Sequence, residues 1–159
     1  MSSTKSNMCI YIGIVCLKVK SINCTVSISL YNADEPKNST VQVQNIPFCS
    51  YQKSILLAIK KAIDTYEMQC TILNIYSAST SISTFIEKYK TILDTNNIEK
   101  INNLDINRLP ITKSVLLSFL NRPQDTSKLV IRKVEKDNKC ILIAQSIASN
   151  EITKCTKNK

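Results

Sequence analysis

Histidine is missing altogether from this chain of 159 residues. Its absence removes Ser-His and Cys-His nucleophile pairs, histidine general bases and histidine metal ligands in one step. Glycine occurs once, at Gly13, so no glycine-rich phosphate loop can form and the ordinary nucleotide-binding fingerprints are excluded. The seven cysteines (Cys9, Cys16, Cys24, Cys49, Cys70, Cys140 and Cys155) include no Cys-x-x-Cys pair, which excludes the usual zinc and thioredoxin-like spacings. Several lie in apolar runs, where a free thiol behaves as a small hydrophobe, so reduced core thiols are expected rather than a metal site or disulfides. No apolar run approaches ~18 residues, so no helix is expected to span a membrane. The opening MSSTKSNM lacks the apolar segment of a secretory signal. The expectation is an intracellular protein, cytoplasmic or nuclear, in which the sequons at Asn23 and Asn38 are chance matches.

What is present is a chain 43% hydrophobic with a net charge of +9, long enough for one domain with a real core. Of its 21 basic residues only Arg108, Arg122 and Arg132 are arginine. Such a balance points to a polyanionic partner through the generic electrostatic term, although Lys-, Asn- and Ile-rich sequences also arise from AT-rich genomes.

Periodicity divides the chain between its four prolines. Residues 8–19 form a continuous apolar β run. Residues 23–31 alternate, with Cys24, Val26, Ile28 and Leu30 on one face, and 39–46 alternate through Val41 and Val43. Three strands with short links predict an antiparallel meander. The spacing of Ile55, Ala58, Ile59, Ala62, Ile63 and Tyr66 then predicts a helix, with Ser50 or Ser54 as its cap. A fourth strand is predicted over 70–76 and a helix over about 80–93. A polar, irregular stretch follows over 94–110, then a helix over about 112–121, a fifth strand over 128–134 and a last helix from near Asn138. Residues 1–7 and a basic tail over 151–159 are expected to be disordered, leaving one domain over 8–150. Helices between strands 3, 4 and 5 require crossovers and parallel pairing on that side. The predicted fold class is α/β: a mixed five-stranded sheet, three antiparallel strands then parallel crossovers, with helices on both faces.

This order and four local strings resemble the ribonuclease H family over about residues 9–149. IYIGIVC is similar to that family's first strand, whose Asp-Gly pair here reads Ile12-Gly13. SILLAIKKAI is similar to its first helix, with Ile55 at the glutamate position. NIYSAS is similar to the end of its fourth strand, where Asp-Ser becomes Ala78-Ser79. NKCILIAQSIA is similar to its last helix, with Ile141 at the final aspartate position. The resemblance implies phosphodiester hydrolysis by two Mg²⁺ ions in the family. It implies here the loss of all four carboxylates, hence no metal, no cofactor and no enzyme activity, since Mg²⁺ requires oxygen ligands. The nearest acids, Asp64, Glu67, Asp94, Glu135 and Asp137, do not converge at those positions and read as solvated surface groups. Ile12, Ile55 and Ile141 are expected to pack together, or nearly so, and fill the former cleft.

The resemblance further implies that binding can outlast cleavage, because the family grips its duplex mainly by the backbone. The matching positions are Ser50, Tyr51, Gln52 and Lys53 before the first helix, Ser79 and Thr80 after strand 4, and Arg132, Lys133, Lys136 and Lys139 at the junction of strand 5 with the last helix. Ser50 also fits a plain N-cap, and Lys60 and Lys61 fit plain solubility. The expected partner is RNA or an RNA-containing duplex, with no membrane. The alternative is a protein-interaction or scaffold module, able to self-associate, in the manner of the inactive copies that serve as connecting domains in reverse transcriptases. A silent enzyme of this kind suits a virus, a retroelement or a gene taken from one.

Overall fold

The computed structural model describes residues 5–18, 23–47, 51–80, 82, 84, 87 and 128–157. Strand β1 (Lys5–Lys18) pairs antiparallel with β2 (Asn23–Asn32), and β2 pairs antiparallel with β3 (Thr40–Pro47). Helix α1 (Tyr51–Tyr66) leads to β4 (Cys70–Ser77), which pairs parallel with β1 on one side and with β5 (Lys128–Lys133) on the other. Helix α2 (Lys139–Lys157) closes the described chain. The sheet order is β3-β2-β1-β4-β5, the mixed five-stranded arrangement that the periodicities predict. Thr80, Ile82, Thr84 and Glu87 are helical, in line with a helix after β4. The helix predicted over 112–121 lies outside the described residues.

The alternation of each strand decides which helix it meets. Met8, Ile10, Ile12 and Ile14 of β1 point to the same face as Cys24, Val26, Ile28 and Leu30 of β2 and Leu73 and Ile75 of β4. The apolar stripe of α1, from Ile55 to Tyr66, covers them in one core. The Tyr66 hydroxyl donates to the Asn38 carbonyl at 2.6 Å, fastening the end of α1 to the turn that precedes β3.

Where α2 packs, the opposite face is built from small residues. Gly13, Ser27 and Ser29 are buried, and α2 crosses β1, β2 and β3 on that side with Ile141, Ala144, Ala148 and Ile152 turned inward. Ser29 Oγ donates to the Ala144 carbonyl at 2.7 Å. A Cβ on Gly13 would overlap the Ala144 carbonyl and come within 2.7 Å of the Gln145 nitrogen. The single glycine therefore serves close approach of a helix backbone to a strand.

Two boundaries and one cap differ from the sequence reading. β1 starts at Lys5, inside the stretch expected to be disordered, because Lys5 and Asn7 pair with Cys70 and Ile72 of β4. α2 continues through 151–157, assigned by the sequence to a basic tail, because Ile152 (3% exposed) extends the buried stripe by one more turn. Ser54 is buried inside the first turn of α1 rather than capping it, and Ser50 lies outside the described residues.

Candidate functional site at the carboxyl end of the sheet

The pairing pattern makes β1, β3, β4 and β5 run in one direction. Their carboxyl ends share one end of the molecule. α1 leaves from β3, the helical residues from Thr80 onward leave from β4, and α2 leaves from β5. In open α/β sheets this is where ligands bind. The sheet is notched here: among the described residues β1 pairs with β4 only as far as Tyr11 opposite Tyr76, then continues to Lys18 against β2 alone. Gln145 of α2 substitutes for the departed strand. Its amide oxygen accepts from the Ile14 N–H at 3.1 Å and its amide nitrogen donates to the Ile14 carbonyl at 2.6 Å, so a buried strand edge is satisfied by a side chain.

All four positions matched to the family's carboxylates lie at this end. Ile12 (4% exposed) and Ile55 (1%) share the α1 core. Ala78 is half-buried just past the end of β4. Ile141 is buried in the first turn of α2. The expected packing of the three isoleucines holds only in part. Even-numbered residues of β1 face α1 whereas α2 packs on the odd-numbered face, so Ile141 is buried outside the cluster that holds Ile12 and Ile55. None of the four side chains carries an oxygen, so as a set they do not fit Mg²⁺. Asp64 is exposed and pairs with Lys60 at 3.0 Å. Glu135 and Asp137 are exposed, Glu67 is half-buried, and Asp94 lies outside the described residues.

The proposed binding residues separate into two groups. Ser79, Thr80, Arg132, Lys133, Lys136 and Lys139 adjoin one another, since Tyr76 and Ser77 of β4 pair with Arg132 and Lys133 of β5 and the Val134 N–H donates to the Ser77 carbonyl at 2.9 Å. The four cations and Thr80 are exposed. Ser79 is buried; its N–H donates to Ser77 Oγ at 3.1 Å and its carbonyl accepts from the Ile82 N–H at 3.3 Å, the geometry of a helix start. The second group stands at the start of α1, where Tyr51 and Gln52 form the first turn and Lys53 is half-buried. Lys60 and Lys61 are half-buried too, paired with Asp64 and with the Gln42 amide.

Sequence reasoning passes over Gln145 and a pair of tyrosines. Tyr11 and Tyr76 stack with ring centroids 4.8 Å apart and planes at 22°. Burial, then the neighbouring Cys140 and Cys9 thiols, push the Tyr11 phenol up to about 12. Burial and then Cys9 raise Tyr76, opposed by the Arg132 guanidinium. Their positions in apolar strands were readable; the register that pairs them was not.

No protein-family model matches the sequence, and no curated protein matches it. Solved structures do match. The foamy viral protease-reverse transcriptase in complex with RNA/DNA hybrid superposes with a TM-score of 0.63 at 12% identity, over 92% of this chain and 20% of that one. A chain from the same protein in complex with dsDNA gives 0.51 at 14% identity, over 90% of this chain and 92% of that one. This chain thus spans about a fifth of the first structure's length. At such identities the likeness concerns the fold, which is ribonuclease H-like.

Proposed function

We propose that this chain is a ribonuclease H-like domain that has lost the family's metal centre and binds nucleic acid, RNA or an RNA-containing duplex, through backbone and shape contacts. One observation carries the reading. The carboxyl end of the parallel strands, where such a fold recognises ligands, has aliphatic residues at Ile12, Ile55, Ala78 and Ile141 beside the exposed cations Arg132, Lys133, Lys136 and Lys139. Cleavage needs oxygen ligands; holding phosphates needs only cations and polar groups. The complexes with RNA/DNA hybrid and dsDNA formed by the structural neighbours support the same ligand class. The test incubates a labelled RNA/DNA hybrid with the protein and Mg²⁺ or Mn²⁺ at low salt. The hybrid is expected to be retained and to stay intact. Cleavage lost on mutating Asp64, Glu67, Glu135 or Asp137 would overturn the inactive reading, and failure to retain the probe would overturn the binding one.

A protein-interaction role is favoured by a separate observation, the exposure of Leu142 (53%) and Ile143 (42%) on consecutive positions of α2. Light scattering that shows a stable dimer, with no retention of nucleic acid, would select it.

A further inference from the structure

We infer that the sheet face beside the start of α2 is a stacking platform for single-stranded nucleic acid. Three of the chain's six tyrosines stand in one row across it. Tyr31 of β2 is paired with Tyr11 of β1, Tyr11 with Tyr76 of β4, and Tyr76 with Arg132 of β5. Directly opposed residues point to the same face, and the stacking of Tyr11 on Tyr76 agrees. At ~4.8 Å between strands the row spans about 14 Å.

Two contrasts single the face out. On the other side of the same strands Leu73 and Ile75 are fully buried, whereas Ile72, Asn74 and Tyr76 are only half-buried. One step along β1 and β2, Gly13 and Ser29 lie under the Ala144 backbone, whereas Tyr11 and Tyr31 retain exposure and Arg132 is open to solvent. The platform begins where α2 stops covering the sheet.

The occupant follows from chemistry. Aromatic rings on an open sheet face stack on unpaired bases, and stacking tolerates any base because every base has a π-face. A phosphate-bearing strand is attracted by Arg132 at the end of the row and by Lys136 and Lys139 in the turn and helix start that follow it. Three acids stand near the row: Asp34, which accepts the Cys9 N–H at 2.8 Å, and Glu135 and Asp137, exposed among the four cations Arg132, Lys133, Lys136 and Lys139. A duplex, whose bases are paired, cannot present them to these rings. The platform rests on the proposed function in sharing its cations Arg132, Lys136 and Lys139, and the tyrosine row is what distinguishes the two.

The experiment measures anisotropy of a labelled oligouridylate and, in parallel, of a labelled RNA/DNA hybrid, across a salt series. Tyr11→Leu/Tyr76→Leu is expected to weaken oligouridylate binding roughly ten-fold or more with an unchanged salt slope and unchanged hybrid affinity. Tyr11→Phe/Tyr76→Phe keeps the rings and is expected to keep the affinity. Should the leucine pair compromise folding, Tyr31→Leu, at the other end of the row, supplies the second arm, again expected to weaken oligouridylate binding with unchanged hybrid affinity. Oligouridylate affinity that the folded leucine variant retains, or that falls in the same proportion as hybrid affinity, would overturn the platform. So would absence of oligouridylate binding by the wild type at low salt. Hybrid retention by the same protein decides the proposed function independently.

Discussion

Ser27 and Ser29 stand two residues apart on β2, both fully buried under α2, yet only one is satisfied. Ser29 donates to the Ala144 carbonyl, whereas Ser27 Oγ has no hydrogen-bond partner among the described residues. Ser29→Ala is expected to cost about 0.5–1.5 kcal/mol, and Ser27→Ala to be neutral or slightly stabilising, since an unmade buried hydrogen bond carries only a penalty. Urea midpoints of the two variants check the contrast. Ile12 offers a sharper probe of the proposed site. Ile12→Asp sets a carboxyl among Ile10, Ile14 and Ile55, where burial raises its pKa above the unfolded value near 4. With the folded value raised, the variant's stability is fully present below about pH 4 and falls as pH rises. A urea midpoint that drops between about pH 4 and pH 7, relative to the wild type, is expected; a pH-independent difference would mean that the position is open to water.

At the scale of elements, the sequence was most legible where one period ran without interruption. The α1 stripe from Ile55 to Tyr66 and the alternation of β2 are both realised in the core. The stripe on α2 was legible as well, but its last member, Ile152, sits among charged and polar neighbours that read as a tail. What escaped was what depends on register or on contact across the chain. Gln145 lies 131 residues from the strand edge it completes, and the tyrosine row exists only once three pairings are known. The assignment of Ile12, Ile55, Ala78 and Ile141 to a former metal site rests on family resemblance; in periodicity alone Ile12 and Ile55 are ordinary core residues. Gly13 joins two elements in one residue. Gly13→Ala would push α2 from β1 and disturb the Gln145 bridge, and is expected to lower stability by about 1–3 kcal/mol as an overpacking change. Denaturant unfolding measures it. An unaltered midpoint would show that the helix does not approach β1 so closely.

The whole molecule carries +9 and several protected phenols. Burial raises the pKa of Tyr66, Tyr76 and Tyr11, the last to about 12. Because the folded values exceed the unfolded value near 10, these groups' contribution is fully present below about pH 10 and is lost as pH rises through the folded values, between about 10 and 12. Urea midpoints followed across that window are expected to fall, in step with phenolate absorbance; a flat midpoint would contradict the enclosure of Tyr66 and the partial burial of Tyr11 and Tyr76. The charge itself bears on the central claim, that a cleft which no longer suits a metal still holds a phosphate backbone. Its most direct test is one salt titration of RNA/DNA hybrid binding, comparing the wild type with a variant carrying alanine at Arg132, Lys133, Lys136 and Lys139. The expected result is log K falling linearly with log salt, with a slope reduced in the variant by about 0.9 for each phosphate contact removed. Identical slopes for the two proteins, or no binding by either at low salt, would contradict the account.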